Sequence, residues 1–112
     1  MKNVRLSDPV IVNRFQNVYT PSDDSYLILD YFKENIDNSY FDGLKIEKIN
    51  NILDLGTGTG IVAIFFLLIK KLYTNFKPKI FASDILEEAI YCAKFNEKNN
   101  HFKDEIRFCF YT

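Results

Sequence analysis

Read for apolar spacing alone, the chain divides into an irregular first part and a regular second part. Residues 4–18 mix short apolar pairs with Pro9 and Asn13, which predicts a short strand or hairpin. Thr20-Pro21-Ser22-Asp23 then has the chemistry of a helix start. Thr20 serves as N-cap, Pro21 fits the first helical position, and Asp23 falls where a capping box puts its carboxylate. Leu29, Phe32 and Ile36 follow at helical spacing, so a helix with one buried face is expected over residues 21–35. Residues 38–48 are polar, hold one glycine and read as a surface connection.

The second part has clear periods. Residues 51–55 form a short apolar run ending in glycines, the mark of a buried strand. Residues 60–72 are apolar on nearly every side, as in a helix packed between a sheet and another layer. Residues 80–83 predict a second strand. Leu86, Ala89, Ile90 and Ala93 recur at amphipathic helical spacing in a segment running to about residue 98. Residues 105–111 alternate loosely and predict a third strand. Strand, helix, strand, helix, strand implies right-handed crossovers and a parallel sheet, which is half of a doubly wound α/β domain.

Composition narrows the class without naming a function. The 112 residues suffice for one modest domain, with 47% hydrophobic and 26% charged residues, as in ordinary globular proteins. A net charge of -1 gives no broad electrostatic reason to expect nucleic acid or a membrane as partner. Cys92 and Cys109 lie in apolar segments without CxxC spacing or a nearby His pair, and are expected to be reduced core thiols of a cytoplasmic protein. No apolar stretch follows Met1-Lys2-Asn3-Val4-Arg5, so no signal peptide is expected, and residues 61–69 are too few to span a bilayer.

The strongest chemical signal is Asp54-Leu55-Gly56-Thr57-Gly58-Thr59-Gly60, between a strand and a helix. Gly56 and Gly58 let the chain turn sharply and let a ligand lie against the backbone. Amides at the start of the next helix can donate to polar ligand atoms. Asp54 ends its strand where open α/β sheets bind ligands, and its carboxylate suits a cationic group. A dinucleotide fingerprint starting at Gly56 would need glycine at position 61, which is Ile61, and the lysine of a P-loop is missing. Asp84 ends the second strand. There it can accept both hydroxyls of a ribose or cap the following helix, and Ile85 is placed to flank an adenine ring.

The acid-x-G-x-G-x-G pattern resembles motif I of the class I S-adenosylmethionine methyltransferases. Upstream, Val18-Tyr19-Thr20-Pro21-Ser22-Asp23-Asp24-Ser25-Tyr26 resembles the V-Y-x-P-x-x-D-[ST] segment of the HemK-type branch, especially its compact archaeal and eukaryotic members. The resemblance covers residues 18–99. It implies a Rossmann-like half-domain with strand order 3-2-1, S-adenosylmethionine as cofactor, and contacts to it from Ser25, Asp54, Gly56 and Asp84, with Tyr19 shielding it; Gly58 and Ile85 complete the expected cofactor contacts. It also implies a glutamine side-chain amide of a translation release factor as methyl acceptor, with a small activating subunit. The same chemistry on an adenine amine in nucleic acid is the alternative.

The Asn-Pro-Pro-Tyr clamp that holds the acceptor nitrogen in such enzymes has no counterpart, since the prolines are Pro9, Pro21 and Pro78. Positioning supplies much of the rate of such a transfer, so the chain alone is expected to be inactive or very slow. A truncated methyltransferase domain over residues 1–112, or a split or non-catalytic module completed by another chain, is therefore expected, with residues 52–55 left as a bare apolar edge. His101, Lys70, Lys71, Lys77 and Lys79 read as solvated, and Phe65, Phe66 and Tyr91 as packing residues.

Overall fold

The computed structural model describes residues 6–110, so Met1 to Arg5 and the expected strand end at Tyr111 lie outside the described residues. Helix α1 spans Asp23–Glu34, strands β1 (Tyr40–Phe41) and β2 (Leu44–Lys45) form a hairpin, and a 3-10 turn covers Ile46–Lys48. Strand β3 (Asn51–Leu55), helix α2 (Ile61–Leu72), strand β4 (Lys79–Asp84), helix α3 (Glu87–Asn99) and strand β5 (Ile106–Phe110) follow. The three longer strands are parallel in the order β3-β4-β5. This is the α/β arrangement of half a doubly wound domain.

Register sorts the side chains onto two faces. Ile52, Ile80 and Ile106 are aligned, as are Asp54, Ala82 and Phe108. Ile80, Ala82 and Ile106 are buried under α2 and α3, which touch each other and both touch β4. Two right-handed crossovers stepping the same way across a sheet put both helices on one face. Alternate residues point the other way. Leu53 and Leu55 are 60% and 66% exposed, and β3 lies at a sheet edge, the bare apolar edge expected of residues 52–55, so its apolar run is not buried on both faces. Cys109 shares that uncovered face and is exposed, so only Cys92 is the core thiol expected of both. Burial raises the Cys92 thiol pKa, with the Asn96 amide pulling it down in part.

Helix α2 is buried on most sides because α1 covers it from outside the sheet. Phe32 of α1 meets Phe41, Phe65 and Phe66, and Phe66 meets Phe76, with ring centroids 5.1–6.4 Å apart. Leu29 and Ile46 are fully buried against the same cluster.

Three segments depart from the sequence reading. Helix α1 starts two residues later than expected, with Ser22 rather than Thr20 as N-cap. The reciprocal half of the capping box is made by Ser25, whose Oγ accepts the Ser22 N–H at 3.4 Å, not by Asp23. Residues 38–48 are a tight hairpin, because Asp42 (φ 49°) and Gly43 (φ 86°) adopt the two left-handed positions that match strand twist. Among the described residues 6–18 there is no strand. The backbone of this segment runs along α3 as a strap, and asparagine side chains take the place of a neighbouring strand: Val12 pairs with Asn96 and Val10 with Asn100.

Candidate functional site

The carboxyl ends of β3 and β4 open into a cleft of about 510 Å³, within the range of small-molecule sites. The glycine loop forms its floor, Leu86 and Ala89 of the start of α3 form one side, and the chain from Val18 to Ser25 forms its outer wall. Among the described residues, its charged lining side chains are Asp54 and Asp84.

The loop is hung from β4. Gly56 and Thr57 both donate their N–H to the Ser83 carbonyl at 2.9 Å. Gly58 donates to Asp84 Oδ2 at 3.0 Å, and Leu86 N–H donates to Asp84 Oδ1 at 3.0 Å. Asp84 therefore fixes the loop and the turn into α3 instead of capping α3 itself, whose N-cap is Leu86. Each carboxylate oxygen keeps a further lone pair for an outside donor.

Asp54 is oriented by Thr57, whose hydroxyl donates to Oδ2 at 2.8 Å. Burial raises the Asp54 carboxyl pKa. The Thr57 hydroxyl and the Ala63 amide act against that, and the charge of Asp84 adds to it. A carboxylate held under these conditions gains from a cation that replaces its lost solvation.

Gly56 and Gly58 have φ of 73° and 56°, and nothing lies within 4 Å of where a Cβ would stand at either. Their left-handed backbone makes the turn, and the vacant space beside them is the cleft. Gly60 (φ 87°) has a different task, because a Cβ there would stand 2.9 Å from Ala93 Cβ. It lets α3 approach the loop.

Of the residues singled out from the sequence, Tyr19, Ser25, Asp54, Gly56, Gly58 and Asp84 all line the cleft. Tyr19 does so while 95% exposed. Ile85 is 73% exposed and lies outside the lining, where Leu86 and Ala89 stand instead. Thr57 was not singled out, although a hydroxyl three residues after a strand-terminal acid is a readable sign of a carboxylate clamp. Among the described residues no cluster of three or more His, Cys, Asp or Glu could hold a metal ion, and no helix is long and apolar enough to cross a membrane.

Residues 35–111, more than half the chain, match the family model described as ribosomal protein L11 methyltransferase (PrmA). The chain belongs to the ribosomal protein L11 methyltransferase family. Membership places it among the class I S-adenosylmethionine methyltransferases, in keeping with a glycine loop between β3 and α2 and a carboxylate at each strand end. The PrmA match begins at residue 35 and so leaves out residues 18–26, on which the likeness to the HemK-type branch rests. No curated protein matches the chain.

Proposed function

We propose that the chain is the S-adenosylmethionine-binding part of a methyltransferase that modifies a planar amide or amine nitrogen of a protein. The observation that carries this reading is the charge of the cleft: two carboxylates and no cation among the described residues that line it. A dinucleotide or nucleoside triphosphate would bring phosphates to the glycine loop beside the Asp54 carboxylate, whereas S-adenosylmethionine brings an ammonium and a sulfonium there; a ribose at Asp84 suits either. In this reading Asp54 faces the methionine end and Asp84 takes the ribose hydroxyls. Gly56 and Gly58 let the ligand approach the backbone, Ser25 and Tyr19 close the outer wall, and Ile85 borders the adenine from outside.

The acceptor belongs to the translation apparatus on two independent grounds. The segment from Val18 to Tyr26 resembles the HemK type, whose acceptor is a release-factor glutamine, with a small activating subunit as partner. The family model over residues 35–111 carries the name of ribosomal protein L11. The segment at the cleft mouth is the part that an acceptor would meet, so the glutamine amide is the first choice and a ribosomal protein nitrogen the second. A complementing chain, if one supplies the acceptor clamp, would join at the open β3 edge, and the cytoplasm is the compartment of either acceptor.

Calorimetric titration with S-adenosylmethionine, beside NAD as an anionic control, tests the reading. Saturable binding of the first and none of the second is the expected result. Binding of NAD with equal or greater affinity would overturn it.

A further inference from the structure

Asn96 is completely buried on α3, and its carboxamide serves two segments far apart in sequence. Its Oδ1 accepts the Val12 N–H at 2.8 Å, and its Nδ2 donates to the Val12 carbonyl at 2.9 Å. The same Nδ2 donates to the Thr59 carbonyl at 3.0 Å. One helical turn later Asn100 repeats the first pattern on Val10, with both bonds at 2.8 Å. The match is geometric. Residues four apart on a helix rise about 6 Å, and alternate residues of an extended chain are about 6.6 Å apart. Asn100 holds only the strap and its own helix, whereas Asn96 also holds the glycine loop.

Thr59 sits between Gly58, whose amide is tied to Asp84, and Gly60, where α3 makes its closest approach. The strap runs on from Val12 through Asn13, whose Nδ2 donates to the Val18 carbonyl at 2.6 Å, to the outer wall of the cleft. Asn96 thus stands at the junction of floor and wall.

We infer that Asn96 is a positioning residue that couples the glycine loop to the strap, so that seating of the loop and closure of the outer wall depend on one carboxamide. The inference rests on the reading of the cleft as an S-adenosylmethionine site only for its effect on ligand affinity. The coupling itself belongs to the ligand-free protein. Replacing the donor by a second acceptor (Asn96→Asp) sets a carboxylate against the Thr59 and Val12 carbonyls; it breaks the tie to the loop and leaves the strap only the Val12 N–H bond. Asn100→Asp loosens the strap alone.

Amide hydrogen exchange on the ligand-free chain, followed by calorimetry with S-adenosylmethionine, tests this. Asn96→Asp is expected to speed exchange at Gly60, while the Val12 N–H keeps its acceptor, and to weaken binding at least about tenfold, the size of one lost buried hydrogen bond. Asn100→Asp is expected to leave Gly60 exchange unchanged and to change affinity less than about threefold. Val12→Pro removes one donor from a half-exposed position and serves if Asn96→Asp does not fold; it is expected to speed exchange at Gly60 as well. Unchanged Gly60 exchange in Asn96→Asp, or in Val12→Pro where that stands in, would overturn the coupling. Equal effects of the Asn96 and Asn100 variants on affinity would reduce Asn96 to a fastening for the strap. A wild-type chain that binds no S-adenosylmethionine removes the ligand reading and leaves the exchange result to decide the coupling.

Discussion

The Gly58 amide donates to Asp84 Oδ2 at 3.0 Å, across 26 residues of sequence, and joins the loop after β3 to the end of β4. One carboxylate therefore organises the cleft and keeps lone pairs for a ligand. Asp84→Ala is expected to leave the partly buried Gly58 and Leu86 amides unpaired, at a cost of about 1–3 kcal/mol in stability. It should also weaken S-adenosylmethionine binding by at least about tenfold. Asp84→Asn keeps one acceptor oxygen and should fall between wild type and alanine in both. Denaturant unfolding and calorimetry read the two effects separately.

Asp54 is predicted to trade stability for ligand affinity. Its folded pKa lies above the ordinary 3.8, chiefly through burial. Between the unfolded and folded values the folded state holds more protons, so stability falls as pH rises through that window and stays lower above it. Asp54→Asn should therefore raise the melting temperature of the ligand-free chain at neutral pH, flatten this pH dependence, and weaken binding of the cationic ligand. Melting curves from pH 3 to pH 8, with and without S-adenosylmethionine, check all three.

Gly60→Ala should be among the most harmful small substitutions in the chain. The added Cβ would stand 2.9 Å from Ala93 Cβ and 3.1 Å from Ala93 Cα, at a φ of 87° that strains any side chain. Overpacking and left-handed backbone together predict a loss of about 2–4 kcal/mol. Gly43→Ala shares the left-handed backbone (φ 86°) but meets nothing within 4 Å, so it should cost about 1–2 kcal/mol. The difference, read by denaturant unfolding, isolates the helix contact.

His101 ends α3 in the left-handed conformation, with φ 70°. Its N–H donates to the Lys98 carbonyl at 2.9 Å and the Phe102 N–H to the Glu97 carbonyl at 3.1 Å, the two bonds of a Schellman cap. The imidazole is exposed, so the residue is placed for its backbone. His101→Gly should stabilise the chain by about 0.5–1 kcal/mol without changing ligand affinity.

Much of this architecture was legible because apolar period dominates the second part of the chain. Residues 61–72 and 87–99 are helices within a residue or so of where spacing put them, and the glycine loop lies between strand and helix with its acids at the strand ends. The misread features are those set by partners distant in sequence. Val10 and Val12 make no strand because their backbone groups bond to side chains 90 and 84 residues away. Gly60 is required by Ala93, which no local pattern reveals. The start of α1 was displaced because Thr20, Ser22 and Asp23 are all able to cap, and only the Ser22–Ser25 pairing settles which does. Asp42-Gly43 was a readable hairpin turn, overlooked because its strands are two residues long.

The fastening of the strap has an evolutionary consequence. Asn96 and Asn100 grip only the main-chain atoms of residues 10 and 12, and Val10 itself is exposed. Any residue with an N–H fits such a grip, so substitutions at positions 10 and 12 are filtered by the exclusion of proline rather than by side-chain identity. Side chains at those two positions can therefore change while two asparagines on α3 hold the attachment constant.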